Sequence, residues 1–230
     1  MPVRKIIFDT ETTGLNPEVD KIIEVGCVEL LNDVPTGKTF HKYYNPDNVK
    51  ISEQSYNIHG LSNDFLSKFP TFENSIEELL EFFGDSLLVI HNAVFDVSMV
   101  NYTLNKLQKN KLRESQYICT LEMSRKKFPG SKVNLNSLCR RYKINLESRQ
   151  KHGALTDCFL LAQVYLELIG GKQRKIEFDN NIKSLNNKIE KNVGLEHQHY
   201  PKLTIRLSKQ DENNHQQMLK KIKNSVWEKI

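Results

Sequence analysis

Long apolar runs are missing from this sequence of 230 residues. No stretch approaches the ~18 consecutive apolar residues that a membrane-spanning helix needs, so the sequence predicts none. No secretory signal is recognisable, because the chain passes from Met1 and Pro2 directly into a strand-like run without a small-residue cleavage site. We therefore expect a cytoplasmic protein.

Closely spaced cysteine pairs are also missing. Cys27, Cys119, Cys139 and Cys158 lie far apart, and none belongs to a C-x-x-C pair. This spacing favours neither a zinc site nor a disulfide framework. We expect four reduced thiols that serve as packing residues.

Positive charge is scarce in the first half of the chain. Residues 1–105 carry 7 Lys and Arg against 16 Asp and Glu, whereas residues 106–151 carry 13 against 3. Such a basic block can replace the counterions condensed on a nucleic-acid backbone. A solvated helix surface is the alternative interpretation of the same charge.

The stretch at residues 5–14 organises the rest of the chain. Ile6, Ile7 and Phe8 are three successive apolar residues, which predicts a central strand buried on both faces. Asp9 and Glu11 follow at its C-terminal end, and the side-chain period of two puts both carboxylates on one side. In isolation, such a pair is equally typical of a turn cap beside a solvated acid.

The remaining chain shows the patterns of an α/β domain. Asp33 and residues 35–37 are expected to form a turn, because Asp, Pro and Gly favour turns. Strands are expected at residues 21–31, 38–44, 87–90 and 116–120, and helices at residues 51–57, 72–83, 121–127 and 135–142.

Two more acids lie on the apolar faces of predicted helices. Asp96 shares a helical stripe with Met99 and Val100, and Asp157 lies on the stripe of a later helix. A buried carboxylate costs several kcal/mol unless it is paired, hydrogen-bonded or metal-bound. For Asp96, a helix cap or dipole partner is the alternative. His152 precedes the later helix and is free to approach the same point.

Together these acids indicate a metal-dependent chemistry. Four clustered carboxylates could not all stay ionised without cations between them. Hard oxygen ligands with open positions select Mg²⁺ or Mn²⁺, and two such ions about 3.5–4 Å apart stabilise the attacking and leaving oxygens of phosphodiester cleavage. A neutral His152 near the attacking water can accept its proton, which makes it the candidate general base.

Three motifs carry a resemblance to a known family: D-x-E at Asp9 and Glu11, H-N-A-x-F-D at residues 91–96, and H-x4-D at His152 and Asp157. In order and separation they resemble the motifs of the DEDDh family of 3′-to-5′ exonucleases, and especially its proofreading members, over residues 3 to about 178. The resemblance implies an α/β, RNase H-like exonuclease fold. Its five-stranded mixed sheet has three antiparallel strands, then two parallel ones, with flanking helices and a flexible C-terminal tail.

The resemblance also implies roles for single residues. Asp9, Glu11 and Asp157 would hold two divalent ions, Mg²⁺ or Mn²⁺, and Asp96 would reach the second ion through water. His152 would be the general base. The residues expected at the terminal nucleotide of a DNA 3′ end are Asp9, Glu11, Gln54, His59, Asn92 and Asp157. Gln54 departs from the usual Glu, and an amide accepts the ribose 3′-hydroxyl less strongly.

The resemblance further predicts three regions: an exonuclease domain at residues 1–171, a linker at 172–198, and a segment at 199–230 that binds the alpha subunit of the replicative polymerase. In the linker, Gln173, Ile176 and Phe178 are similar to a sliding-clamp-binding motif. Packing of Ile176 and Phe178 on the domain is the alternative. A small third core subunit is a further expected partner.

The terminal segment carries its own pattern. Ser208 and Asp211 resemble a capping box that opens a helix with Met218 and Leu219 on one stripe. Some 30 residues bury such a stripe poorly by themselves, so a groove on a partner is expected. Docking onto the exonuclease domain itself is the alternative.

Two rival functions stay open. One is an RNA-trimming enzyme, RNase T-like or oligoribonuclease-like, with the same site and another polymer. The other is a catalytically silent scaffold that only binds a polymerase. The C-terminal tail argues against the first, and the five intact catalytic positions argue against the second.

Overall fold

The computed structural model describes residues 2–146, 151–170, 208–219 and Lys221, and the chain divides into two compact units, Met1–Ile176 and Glu177–Ile230. The strands of the first unit are β1 (Arg4–Thr12), β2 (Ile22–Leu31), β3 (Val34–Tyr43), β4 (Leu87–Ile90) and β5 (Tyr117–Cys119). Its helices are α1 (Glu53–His59), α2 (Asn63–Leu66), α3 (Phe72–Phe83), α4 (Ala93–Lys106), α5 (Thr120–Lys127), α6 (Leu135–Arg141) and α7 (Ala154–Leu168), with a 3-10 turn at Glu114–Gln116.

The five strands form one mixed sheet in the order β3-β2-β1-β4-β5. β1 pairs antiparallel with β2 and parallel with β4, and β4 pairs parallel with β5. The predicted fold class is therefore confirmed, and β1 is the central strand. Because β1 and β4 are parallel, their C-terminal ends lie at the same edge of the sheet.

Helices cover both faces of β1. One core packs Ile6 and Phe8 with side chains of α3 and α4, and the other packs Ile7 with side chains of α7. Side chains alternate along a strand, so Asp9 and Glu11 share the α7 face with Ile7, whereas Thr10 shares the α4 face. All four cysteines are free, and Cys27, Cys139 and Cys158 are buried.

The turn between β2 and β3 differs from the prediction. It consists of Asn32 and Asp33, both with positive φ, 50° and 63°. Two-residue hairpin turns of this hand match the strand twist, and Asn and Asp tolerate the left-handed conformation. β3 consequently begins at Val34, and Pro35 is accommodated because β3 is an edge strand. The assignment of residues 35–37 to the turn was wrong.

The second unit is described only at residues 208–219 and 221. There, α8 (Lys209–Leu219) begins after Ser208, whose hydroxyl oxygen accepts the Asp211 N–H at 3.2 Å, in line with the predicted cap. Met218 is exposed. Predictions for residues 172–207 and 222–230 lie outside the described residues. No helix among the described residues is long and apolar enough to span a membrane.

Candidate active site

The site lies at the C-terminal edge of β1. Asp9 and Glu11 are half-buried on the α7 face of the sheet. In the antiparallel register with β2, Asp9 is opposite Gly26 and Glu11 is opposite Glu24. The two carboxylates therefore project toward the helix that carries Asp157.

Asp96 approaches β1 from the opposite layer. It lies in the first turn of α4, which follows β4 after a two-residue connection, and it is only 3% exposed. Its Oδ1 accepts the Thr10 N–H at 3.1 Å and the Thr10 hydroxyl at 2.7 Å. These two bonds fix Asp96 to the strand residue that separates Asp9 from Glu11.

Burial dominates the electrostatics of Asp96. It raises the pKa of this carboxyl from 3.8 to about 7, although the Thr10 hydrogen bonds act in the opposite direction. The folded protein consequently holds a proton on Asp96 much more tightly than the unfolded chain does. Ionisation of Asp96 in the folded protein therefore costs free energy, which a nearby positive charge would offset.

Asp157 and His152 come from the start of α7. Asp157 is 4% exposed, and its Oδ2 lies 3.3 Å from Nδ1 of His152. The His152 side chain is 43% exposed, so it forms the outer, solvent-facing part of the pair. Ligand atoms of Glu11, His152 and Asp157 all lie within 4.8 Å of one another, a grouping that can hold a metal ion.

The charges of the acids converge on the thiol of Cys158. Burial raises the pKa of Cys158, and the carboxylates of Asp9, Asp157 and Asp96 raise it further. Three acids from three separate elements thus act on one buried sulfur atom. The structure brings together Asp9, Glu11, Asp96, Asp157 and His152.

Gly26 lets α7 approach the sheet this closely, and sequence reasoning missed it. A β-carbon at Gly26 would overlap the backbone of Ala154 and Leu155, the first turn of α7. The Cys158 thiol also donates to the Gly26 carbonyl at 3.0 Å. The signal in the sequence was a glycine inside an apolar strand, which often marks a close backbone approach.

Glu24 is a second residue that the sequence did not single out. It is 3% exposed, lies opposite Glu11 in the register, and accepts from Nε2 of His41 at 2.7 Å. Like charges opposite each other in a sheet are destabilising, so the His41 contact offsets part of that cost. Its signal was an acid inside a largely apolar strand, which also carries Glu29.

The other residues expected at the terminal nucleotide lie on α1 and at the start of α4. His59 is buried at the end of α1, where Nδ1 accepts the Leu61 N–H at 3.0 Å, and no partner of its Nε2 is found in the described part of the chain. Burial lowers the pKa of His59, although the Glu24 charge and a hydrogen bond to the Thr12 backbone act in the opposite direction. Gln54 is exposed in the first turn of α1, and Asn92 is exposed at the start of α4. Gln173, Ile176 and Phe178 lie outside the described residues.

Comparisons with known proteins agree with this geometry. A family model described as exonuclease matches residues 6–165. DNA polymerase III subunit epsilon of Rickettsia conorii is 40% identical, covering 98% of this chain and 99% of the relative. The same subunit of Buchnera aphidicola from Baizongia pistaciae is 42% identical, covering 97% and 96%. The chain belongs to the DNA polymerase III epsilon subunit family.

Solved structures place this epsilon-family chain among exonucleases as well. Exonuclease X in complex with 5′ overhanging duplex DNA is 26% identical with a TM-score of 0.58, covering 72% of this chain and 90% of that one. The nuclease domain of 3′hExo, a DEDDh family member bound to rAMP, shares the fold at 20% identity and a TM-score of 0.62, covering 75% and 96%. The exonuclease fold of the first unit is thereby established.

Proposed function

We propose that this chain is the proofreading subunit of DNA polymerase III. It acts as a 3′-to-5′ exodeoxyribonuclease that removes mismatched terminal nucleotides as nucleoside 5′-monophosphates. The observation that carries the proposal is the convergence of four acids and one histidine at the edge of β1, in a chain similar to epsilon subunits along nearly its whole length.

The acids fit divalent cations. Glu11 and Asp157 offer oxygen ligands close to one another, and a nearby positive charge would favour full ionisation of the buried Asp96 at neutral pH. Asp9, Glu11 and Asp157 would hold the ions, Mg²⁺ or Mn²⁺, with Asp96 oriented toward them by Thr10. When bound, two such ions stabilise the charge that develops on the attacking and leaving oxygens of the phosphodiester.

His152 is the general base in this proposal. With a proton on Nδ1, facing Asp157 at 3.3 Å, the ring carries its lone pair on Nε2, which accepts the proton of the attacking water. The 43% exposure of His152 suits a base that must meet water and substrate, whereas the nearly buried Asp157 suits a ligand. Asp157 also holds the ring in this tautomer.

His59 would bind the terminal nucleotide. Because Nδ1 accepts a backbone N–H, the neutral ring carries its proton on Nε2, which lies near the Thr12 backbone but makes no hydrogen bond of normal geometry among the described residues. A substrate oxygen that accepts this N–H would complete the hydrogen bonding of the buried ring. Gln54 and Asn92 would complete the nucleotide site from α1 and α4.

Incubation of the full chain with Mg²⁺ and a 3′-mismatched primer tests the proposal. We expect digestion from the 3′ end, release of nucleoside 5′-monophosphates, and loss of activity with EDTA that either Mg²⁺ or Mn²⁺ restores. Single-stranded RNA is the comparison substrate. A strong preference for RNA would favour the RNA-trimming alternative, and no digestion of either polymer would favour the silent scaffold.

The partners of the chain belong to the same proposal: DNA, the alpha subunit of DNA polymerase III, the sliding clamp and a small third core subunit.

Truncation after about residue 180 should keep exonuclease activity on free DNA and abolish co-purification with the alpha subunit. A truncated chain that still co-purifies would overturn the domain assignment. Equal clamp affinity of the wild type and the Gln173→Ala/Phe178→Ala variant would refute the clamp motif.

A further inference from the structure

A groove of about 450 Å³ opens beside His152, between α1 and α6. A second, more open depression shares Arg140 with it as a lining residue. The groove is lined by Asn57, Ile58, Asn136, Arg140, Leu146, Lys151 and His152. The depression is lined by Ser131, Lys132, Ser137, Arg140 and Arg141.

Packing of α6 on α7 fixes the position of Arg140 relative to His152. Helix α6 buries Leu138 and Cys139 in a core that it shares with α7, the helix that begins directly after His152 and Gly153. Asn136 and Arg140 are four residues apart, so they occupy one face of α6 and line the groove together. The groove therefore has a defined geometry with respect to His152.

Among the described residues, no acid pairs with Arg140 or Lys151, the cations of this groove. Several other cations of the sheet domain do pair with acids: Arg4 contacts Glu29 at 2.6 Å, and Lys5 contacts Asp33 at 2.6 Å. No acidic residue among those described lines the groove or the depression. Within the described part of the chain, neither Arg140 nor Lys151 has a carboxylate at ion-pair distance.

Apolar surface lies next to these cations. Ile58 is exposed in the groove, and the exposed Tyr56 ring has the Lys151 ammonium 5.3 Å from its centroid. Cations that follow a groove, interleaved with exposed aromatic and aliphatic side chains, are typical of sites for single-stranded nucleic acid, where phosphates meet the cations and bases meet the rings.

We infer that this groove holds the DNA strand on the 5′ side of the scissile phosphate. Arg140 and Lys151 contact its phosphates, and the strand continues over the depression toward Lys132. The inference rests on the proposed function and adds to it the path of the substrate away from the site. A polyanion is the ligand that the charge selects, and two open cavities that share Arg140 suit an extended chain rather than a small molecule.

The test compares kcat/KM of the full chain, with Mg²⁺, for two substrates of different length. One is a short oligodeoxynucleotide, and the other is the p-nitrophenyl ester of thymidine 5′-monophosphate, which has no 5′ strand. For Arg140→Ala, the ratio of kcat/KM for the oligonucleotide to kcat/KM for the ester should fall about 5-fold near 0.1 M salt, since each phosphate contact on a single strand contributes ~0.7 to the slope of log K against log salt. Lys151→Ala should act similarly.

Two variants separate charge from structure. Arg140→Lys keeps the cation and should keep the wild-type salt slope, whereas Arg140→Ala should lower its magnitude by ~0.7. Lys126→Ala removes an exposed cation of α5 that lines neither the groove nor the depression, and it should leave the ratio unchanged.

The outcomes distinguish this inference from the proposed function. If the wild type hydrolyses both substrates but Arg140→Ala and Lys151→Ala keep its ratio and salt slope, the groove does not hold the strand. The same conclusion follows if Lys126→Ala lowers the ratio as much as Arg140→Ala does. If the wild type hydrolyses neither substrate, the proposed function fails and the inference fails with it.

Discussion

Replacement of Asp96 by Asn should stabilise the metal-free protein while it abolishes nuclease activity. Asn keeps an Oδ1 that can accept the Thr10 N–H and hydroxyl, which now bond at 3.1 and 2.7 Å, so the local hydrogen bonds survive. It removes the negative charge of a side chain that is only 3% exposed and that lies near other acids. The free energy of unfolding should rise because no charge has to be buried on folding. Activity should be lost because the variant lacks a carboxylate that the proposed metal site requires.

The pKa of Asp96 sets the magnitude. In the unfolded chain this carboxyl loses its proton near pH 3.8, and in the folded protein near pH 7. Between these values the folded state binds the extra proton, so wild-type stability falls as pH rises. A difference of one pH unit in pKa corresponds to about 1.4 kcal/mol. The free energy of unfolding of the wild type near pH 8 is therefore lower by up to about 4 kcal/mol, and Asp96→Asn avoids this loss. Near pH 4 and below, the two proteins should be equally stable.

Urea unfolding in EDTA, followed from about pH 4 to about pH 8, measures this difference. Saturating Mg²⁺ should reduce this stability difference between variant and wild type. An ion at 100 times its dissociation constant stabilises the wild type by about 2.7 kcal/mol, whereas the variant has lost part of the site. Asp64→Asn, an exposed acid of α2, is the matched control and should change neither result. A variant that is no more stable than the wild type near pH 8 in EDTA, or one whose advantage persists near pH 4, would refute the reasoning.

Three further predictions follow from the site. His152→Ala should lower the single-turnover rate ~10²- to 10⁴-fold with little change in binding of the DNA end, and an unchanged rate would leave His152 a packing role only. Glu11→Ala and Asp157→Ala should each lower turnover by orders of magnitude while circular dichroism shows a folded protein; near-wild-type turnover at saturating Mg²⁺ would remove that residue from the site. Gly26→Ala should displace the first turn of α7 and lower kcat together with the free energy of unfolding, so a wild-type kcat would show that this close contact is dispensable.

Local periodicity was enough to predict several parts of the site. Three successive apolar residues placed β1 at the centre of the sheet, and the period of two put Asp9 and Glu11 on one face. The helical period put Asp96 and Asp157 on buried stripes, where the structure has them. These features are set by residues close together in the sequence, so the sequence alone determined them, and the spacing of the three motifs pointed to the exonuclease family.

Contacts between distant residues decided the rest. The turn prediction included Asp33 correctly but extended to residues 35–37, whereas the pairing of Pro35 with Leu30 assigns these residues to β3. The approach of α7 to Gly26 and the burial of Glu24 beside His41 join elements that local periodicity cannot relate. Packing of α6 on α7 likewise brought Arg140 to the side of His152. Such distances depend on how closely two backbones pack, which only the folded chain fixes.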